Sequence, residues 1–212
     1  MFAVGHMALA YLIGKASAKP LRTSPNMPLL LVLSIIPDMD IIIGENFHRG
    51  PTHSVIAALL VFIPALFFYR KRAIPYLLAL SSHALIGDLI VGGDLMLFWP
   101  ITAEKFFLPA PFPRLQIYSV ANMVLEFLLF VVATAVMLKN RDILTFFQAH
   151  KSNILLAIPV VTVLLPTFGG YPLRVPLILV LPHLFYLVIF SIAVLLSLSS
   201  AFKTPANQPK TT

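Results

Sequence analysis

The chain contains no cysteine, which excludes disulfides, iron–sulfur clusters and thiolate-ligated zinc. Charge is almost as scarce. Only 11% of the residues are charged, against 59% hydrophobic, and the mean hydropathy is +0.93. Soluble domains carry roughly a quarter charged residues and about half apolar ones. A water-soluble globule is therefore excluded, and an outer surface that faces lipid is implied. Acids are rarer still, 8 against 15 Lys and Arg, for a net charge of +7. Those cations lie scattered in loops between apolar runs, and no basic stretch interleaves with aromatics. The charge thus reads as membrane orientation, with no nucleic-acid partner expected. The sequence has no internal repeat, low-complexity tract or extramembrane domain. Its first four residues lack the positive region of a signal peptide, so the N-terminus is read as mature. The expected organisation is one membrane-embedded domain over residues 1–200 and a disordered polar tail over residues 201–212.

What is present is a series of apolar runs. They cover residues 2–16, 27–37 with an extension to 43 left open, 51–69, 74–91, 117–138, 154–167 and 176–198. Pro51, after Gly50, suits a first helical position, and Gly92-Gly93 closes the fourth run. A straight span needs about 20 apolar residues. The third, fourth, fifth and seventh runs approach that length, while the first, second and sixth are short. The expectation is an all-α, polytopic membrane helical bundle with five to seven spanning helices. With seven spans, Arg49, Lys105, Arg114 and Arg174 fall on one side and the other eleven Lys and Arg on the opposite side. The positive-inside rule makes the richer side cytoplasmic. The N-terminus and the loop at residues 44–50 then face outward, in a multi-pass protein of the inner (cytoplasmic) membrane.

The chain is organised around residues 35–54, I-I-P-D-M-D-I-I-I-G-E-N-F-H-R-G-P-T-H-S. Imidazole and carboxylate are ordinary ligands of zinc and related divalent ions. In a bilayer protein such groups are costly unless paired or metal-bound. Asp38, His48, His53 and His83 are the candidate metal ligands, with His6 able to complete the set. Asp40 and Asp88 are each candidate ligands or catalytic bases. Two residues apart on a regular helix, Asp38 and Asp40 would point in roughly opposite directions. They converge only if the helix ends near Pro37; otherwise one holds a ligand histidine in place. His83 and Asp88 are five apart, where ideal helix geometry favours four, and Gly87 offers a place for a local distortion. Arg49 cannot ligate a metal but suits a substrate phosphate or carboxylate. Its other reading is a surface cation or a partner for Glu45. Thr52 suits either a helix cap or an oxyanion contact. Trp99-Pro100 reads as an interface anchor or a lid. Glu126 is a lone intramembrane acid that supports the site or pairs with His183. All the candidate ligands fall on the outer side, although Lys and Arg alone set the orientation.

The order G-H near the N-terminus, P-D-x-D, H-R-G-x-T-H-S, S-H followed by D, and W-P resembles the membrane-bound metal-dependent hydrolases. These are also described as LexA-binding, inner-membrane-associated hydrolases. The resemblance covers residues 1–100 and departs in one place: the S-H to D interval, S-H-A-L-I-G-D, is one residue longer than the family form. It implies a metal-dependent hydrolase and names no substrate. More imidazole and carboxylate groups are present than one tetrahedral ion needs, which suits one or two ions, zinc as first guess and manganese as second. Two-metal sites clamp the attacking and leaving oxygens of a phosphoester. The functional expectation is therefore hydrolysis of a phosphoester, lipid-like if drawn from the bilayer, by metal-activated water. The alternative is a membrane transporter or metal-handling protein without hydrolase activity. Transporters more often show repeat symmetry and a site near mid-membrane. A third reading is a non-catalytic membrane partner of a soluble protein, docked on the basic loop Arg70-Lys71-Arg72.

Overall fold

The computed structural model describes residues 1–44, 48–110, 112, 114–171 and 173–202. Seven helical segments follow one another, one for each apolar run. They are α1 (Ala3–Leu21), α2 (Met27–Leu33), α3 (Val55–Tyr69), α4 (Ile74–Ser82), α5 (Val120–Lys139), α6 (Lys151–Phe168) and α7 (Leu177–Phe202). Among the described residues the only extended pairing is two isolated bridges, Val91 with Leu115 and Leu95 with Phe106. The fold is an all-α bundle of membrane type.

Local chemistry sets where the helices begin and end. Asn26 caps α2 by accepting from Leu29 N–H at 3.0 Å. Ser54 caps α3 by accepting from Ile56 N–H and Ala57 N–H. Such caps satisfy backbone donors that the helix itself leaves unpaired. The cap at Ser54 corrects the reading of Pro51 as the start of the third span. Residues Pro51–His53 form a separate 3-10 turn, Ser54 is extended, and the α-helix opens at Val55. His53 therefore stands outside the helix, free to be aimed.

Among the described residues three helices are long and apolar enough to cross a membrane: α5, α6 and α7. The run lengths had pointed elsewhere. The third is cut to 15 residues by its Ser54 cap. The fourth changes from α-helix to a π-helix at His83–Asp88. The sixth gains length because a 3-10 stretch, Lys151–Leu156, leads into it. At the chain's end α7 runs on through Phe202; the rest of the expected polar tail lies outside the described residues, as does Glu45.

α1 is the central post. Every residue from Ala3 to Tyr11 is buried, and α1 packs against α2, α4, α5 and α7. Met7 and Tyr11 of α1, Leu30 and Leu31 of α2, Ala79 of α4, Phe130 of α5 and Tyr186 and Phe190 of α7 share one apolar core. By contrast α3 lies on the outside, with Leu60, Val61, Ile63, Phe67 and Phe68 all exposed. A helix apolar on its exposed side belongs against lipid.

One acid is built into the post's footing. Glu126 of α5, fully buried, accepts from Phe2 N–H at 2.9 Å, from Gly5 N–H at 3.1 Å and from the Asn122 side chain at 2.9 Å. It caps the first turn of α1 from a neighbouring helix and so fixes the turn that carries His6. His183 is not its partner; the ring Nε2 lies 2.7 Å from the Leu164 carbonyl.

Candidate metal centre

Five short pieces of chain meet at one end of the bundle. The 3-10 turn Ile36–Ile42 carries Asp38 and Asp40, the loop at 48–50 carries His48 and Arg49, and the turn Pro51–His53 carries His53. α1 brings His6, and the π-helix brings His83 and Asp88. A π-turn bonds i to i+5 instead of i to i+4. It therefore brings residues five apart onto one face, and His83 Nε2 lies 3.6 Å from Asp88 Oδ2. The interval of five is thus met by a different helix. The 3-10 winding at Ile36–Ile42 does the same for P-D-M-D, and both aspartates turn inward, buried.

The hydrogen bonds assign the ring protons. His83 Nδ1 lies 2.6 Å from the Ser34 carbonyl, which can only accept, so Nδ1 carries the proton. Thr52 Oγ1 donates to Asp40 Oδ2 at 2.6 Å and lies 3.0 Å from His53 Nδ1, which must then donate to it. His48 Nδ1 lies 3.0 Å from Asp40 Oδ1. In the neutral rings these bonds leave Nε2 of His53 and His83 as lone pairs, and the two atoms are 3.2 Å apart. Asp38 Oδ1 lies 3.3 Å from His83 Nε2 and 3.6 Å from His53 Nε2. Asp88 Oδ2 lies 3.2 Å from His53 Nε2, yet this buried oxygen has no hydrogen-bond partner. Nε2 of His53 and His83, Oδ1 of Asp38 and Oδ2 of Asp88 thus converge on one point. Ligand atoms of Asp38, His48, His53 and Asp88 lie within 4.8 Å of one another, as do those of His6, Asp38 and His83. These buried groups could hold a metal ion.

Electrostatics agree. Burial pushes the Asp38 carboxyl up, but the charge of His83 and hydrogen bonds from His53 and His83 hold it well below the ordinary range. Burial likewise raises Asp40, and hydrogen bonds from His48, His53 and Thr52 outweigh it, so Asp40 too stays low. Burial lowers His53, while Asp38, Asp40 and Asp88 together hold its cationic form well above the usual imidazole value. Asp38 and Asp88 face His53 Nε2 and Asp40 faces its Nδ1, an arrangement that favours positive charge at the ring, from a proton or a metal ion.

The surroundings hold these groups still. His6 stacks on His83, ring centroids 3.8 Å apart and planes within 14°. Its Nε2 is 3.3 Å from Asp88 Oδ1, but neither ring nitrogen makes a hydrogen bond. A Cβ on Gly87 would overlap the His6 ring, so only glycine permits this approach. Asp88 Oδ1 also accepts from the α-amino group of Met1 at 3.0 Å. Arg49, in the left-handed region with φ 63°, donates through its two terminal nitrogens to the Gly93 and Val91 carbonyls, at 2.7 and 3.2 Å. Its Nε lies 3.8 Å from Asp88 Oδ2. Arg49 therefore ties the loop to the end of the π-helix as well as bordering the site. Ser54 Oγ donates to the Leu97 and Trp99 carbonyls, so the W-P segment is stapled beside α3.

The cluster opens into a cavity of about 810 Å³, lined by Asp38, His48, Arg49 and Asp88 on one side and by Phe2, Ile41, Leu115, Val163 and Leu173 elsewhere. Thr162 and Thr167 of α6 and the cation Arg114 complete it. Sequence reasoning missed several of these parts. The second half of the chain offered no motif, yet α6 supplies a wall. The Ser34 carbonyl carries no side-chain signal at all. Thr52 was visible but its role was open, and it is the bridge between Asp40 and His53. Asp94 pairs with Arg114 at 2.6 Å, away from the cluster.

Asp40 holds two imidazoles at once, so Asp40→Asn is expected to weaken metal binding about 10- to 100-fold, as loss of a carboxylate behind a ligand histidine does. Competition against a chromogenic chelator measures it, and unchanged affinity would show that Asp40 orients nothing.

The sequence matches the family model described as YdjM inner membrane protein over residues 1–196. No curated protein and no solved structure matches.

Proposed function

The chain belongs to the YdjM inner membrane protein family, the family of membrane-bound hydrolases that its motifs resemble, over residues 1–196; on that premise we propose that it is a metal-dependent hydrolase acting on a phosphoester with an apolar body. The observation that carries this reading is the convergence of His53 Nε2, His83 Nε2, Asp38 Oδ1 and Asp88 Oδ2, with distances of 3.2 to 3.6 Å, beside a cavity that Asp38 and Asp88 line. All-oxygen sets suit magnesium or calcium, whereas mixed imidazole and carboxylate sets suit zinc and its neighbours. Zinc is accordingly the first choice and manganese the second, as one ion or two.

Asp38, His53, His83 and Asp88 would hold the ion, with His48 and His6 at its edges. Bound there, it would supply polarisation of a phosphoryl oxygen and activation of water near neutral pH. The remaining work falls to the protein. Asp40 and Thr52 keep His53 in one tautomer, and the Ser34 carbonyl does so for His83. Arg49 and Arg114 place positive charge at the cavity where an anionic group would lie, and the apolar wall excludes water from the rest of the substrate. Asp88 is better suited to ligation than to proton transfer, because its carboxylate already meets three imidazoles.

The test is turnover of bis(p-nitrophenyl) phosphate and of phospholipids by the purified protein, before and after chelation. Hydrolysis that disappears with chelator and returns with zinc or manganese is expected. Bound metal without turnover on any phosphoester would favour the transport or metal-handling alternative.

A further inference from the structure

A second cavity, about 670 Å³, lies at the opposite end of the bundle, bounded by the α1–α2 loop, α2, the far half of α3 and the first turn of α4. Arg22 and Arg72 stand in its wall. Among the described residues neither guanidinium has a carboxylate within 4.0 Å, in contrast to Lys15, Arg49 and Arg114, which do. Hydroxyls stand beside them. Thr23 Oγ1 is buried and has no hydrogen-bond partner. Tyr76 Oη accepts from Asn26 N–H at 2.6 Å, which leaves its own O–H free to donate. The other walls are apolar, with Leu29, Leu33 and Phe62, and beyond them the exposed face of α3 faces lipid. Arg22 lies just past the end of α1 and Arg72 just past the end of α3, on the end of the bundle away from the metal centre.

We propose that this cavity binds an anionic phospholipid of the bilayer, its phosphate between Arg22 and Arg72 and an acyl chain along Leu33 and Phe62. The charge complementarity fixes the headgroup class: two unpaired guanidinium groups and free hydroxyl donors suit phosphate oxygens, and the net positive rim rejects a compensating choline cation. An apolar slot continuous with the lipid-facing helix accounts for the tail, which a free phosphate ion would leave unfilled. The site is remote from the metal centre and does not depend on the hydrolase reading.

Native mass spectrometry of the full chain released from detergent tests it, using phosphatidylglycerol and phosphatidylcholine with the same acyl chains. Wild type is expected to retain phosphatidylglycerol at least tenfold more strongly, and millimolar inorganic phosphate is expected not to displace it. Arg22→Ala with Arg72→Ala should reduce that preference to less than twofold. Ala65→Trp keeps both charges but fills the slot, and it should lose the lipid as well. Lys139→Ala, basic but outside the cavity, should behave as wild type. Equal retention of the two lipids by wild type, displacement by phosphate alone, or an undiminished preference in both the arginine pair and Ala65→Trp would each overturn the assignment.

Discussion

Protein carrying His53→Ala and His83→Ala is expected to purify with at least tenfold less zinc or manganese per chain than wild type, measured by elemental analysis. Among the described residues the two rings supply the only pair of imidazole nitrogens within hydrogen-bond distance of each other, 3.2 Å apart. Both are kept as acceptors by bonds on their far nitrogens, His83 to a carbonyl and His53 to a threonine hydroxyl. Removing them leaves Asp38 and Asp88 with only His6 and His48 at the edges of the cluster, a set that holds zinc less well. The substitutions also take away the stack on His6, so loss of metal must be separated from loss of fold. Asp38→Asn does this: it keeps every ring and nearly the same shape, and it should still lower the metal content several-fold. If the double variant keeps the wild-type metal ratio, the cluster is not the site.

Chelation is expected to lower the thermal midpoint of the wild-type protein by about 10 °C. Binding to the folded state alone stabilises by RT ln(1 + [L]/Kd), about 4 kcal/mol at a thousandfold excess over Kd. For chains of this size each kcal/mol is worth about 2–4 °C. The structure supplies the reason for so large a response. His6 is buried with both ring nitrogens unbonded, and Asp88 Oδ2 is buried without a partner. Each such group costs about 1–3 kcal/mol when nothing answers it. The double histidine variant should show no further drop on adding chelator. A wild-type midpoint that ignores both chelator and added metal would mean that these atoms are not linked to an ion.

The bundle was legible because apolar runs in a charge-poor chain leave few alternatives, and all seven runs are helical. Their lengths were harder to read. Ser54 shortens one span with a hydrogen bond that competes with Pro51 as a starting signal, and the lead-in at Lys151–Leu156 lengthens another despite its lysine and asparagine. In the site, the residue types were legible because imidazole and carboxylate have no packing reason to gather in an apolar chain. The structure gathers His6, Asp38, Asp40, His48, His53, His83 and Asp88 at one end. What sequence could not convey is division of labour. Whether Asp40 faces the centre or stands behind it depends on 3-10 winding at Ile36–Ile42, which no spacing rule anticipates. Arg49 reads as a free cation, and only the fold reveals that two of its nitrogens are spent on the Gly93 and Val91 carbonyls.

The wider winding at His83–Asp88 has a bearing on ancestry. Adding one residue to an α-turn and letting it relax to i→i+5 bonding leaves the flanking turns in register. A relative with the shorter S-H to D interval can display the same imidazole and carboxylate from an unbroken α-helix. For a relative with that shorter interval, a single gap placed between His83 and Asp88 keeps the imidazole and the carboxylate in matching columns.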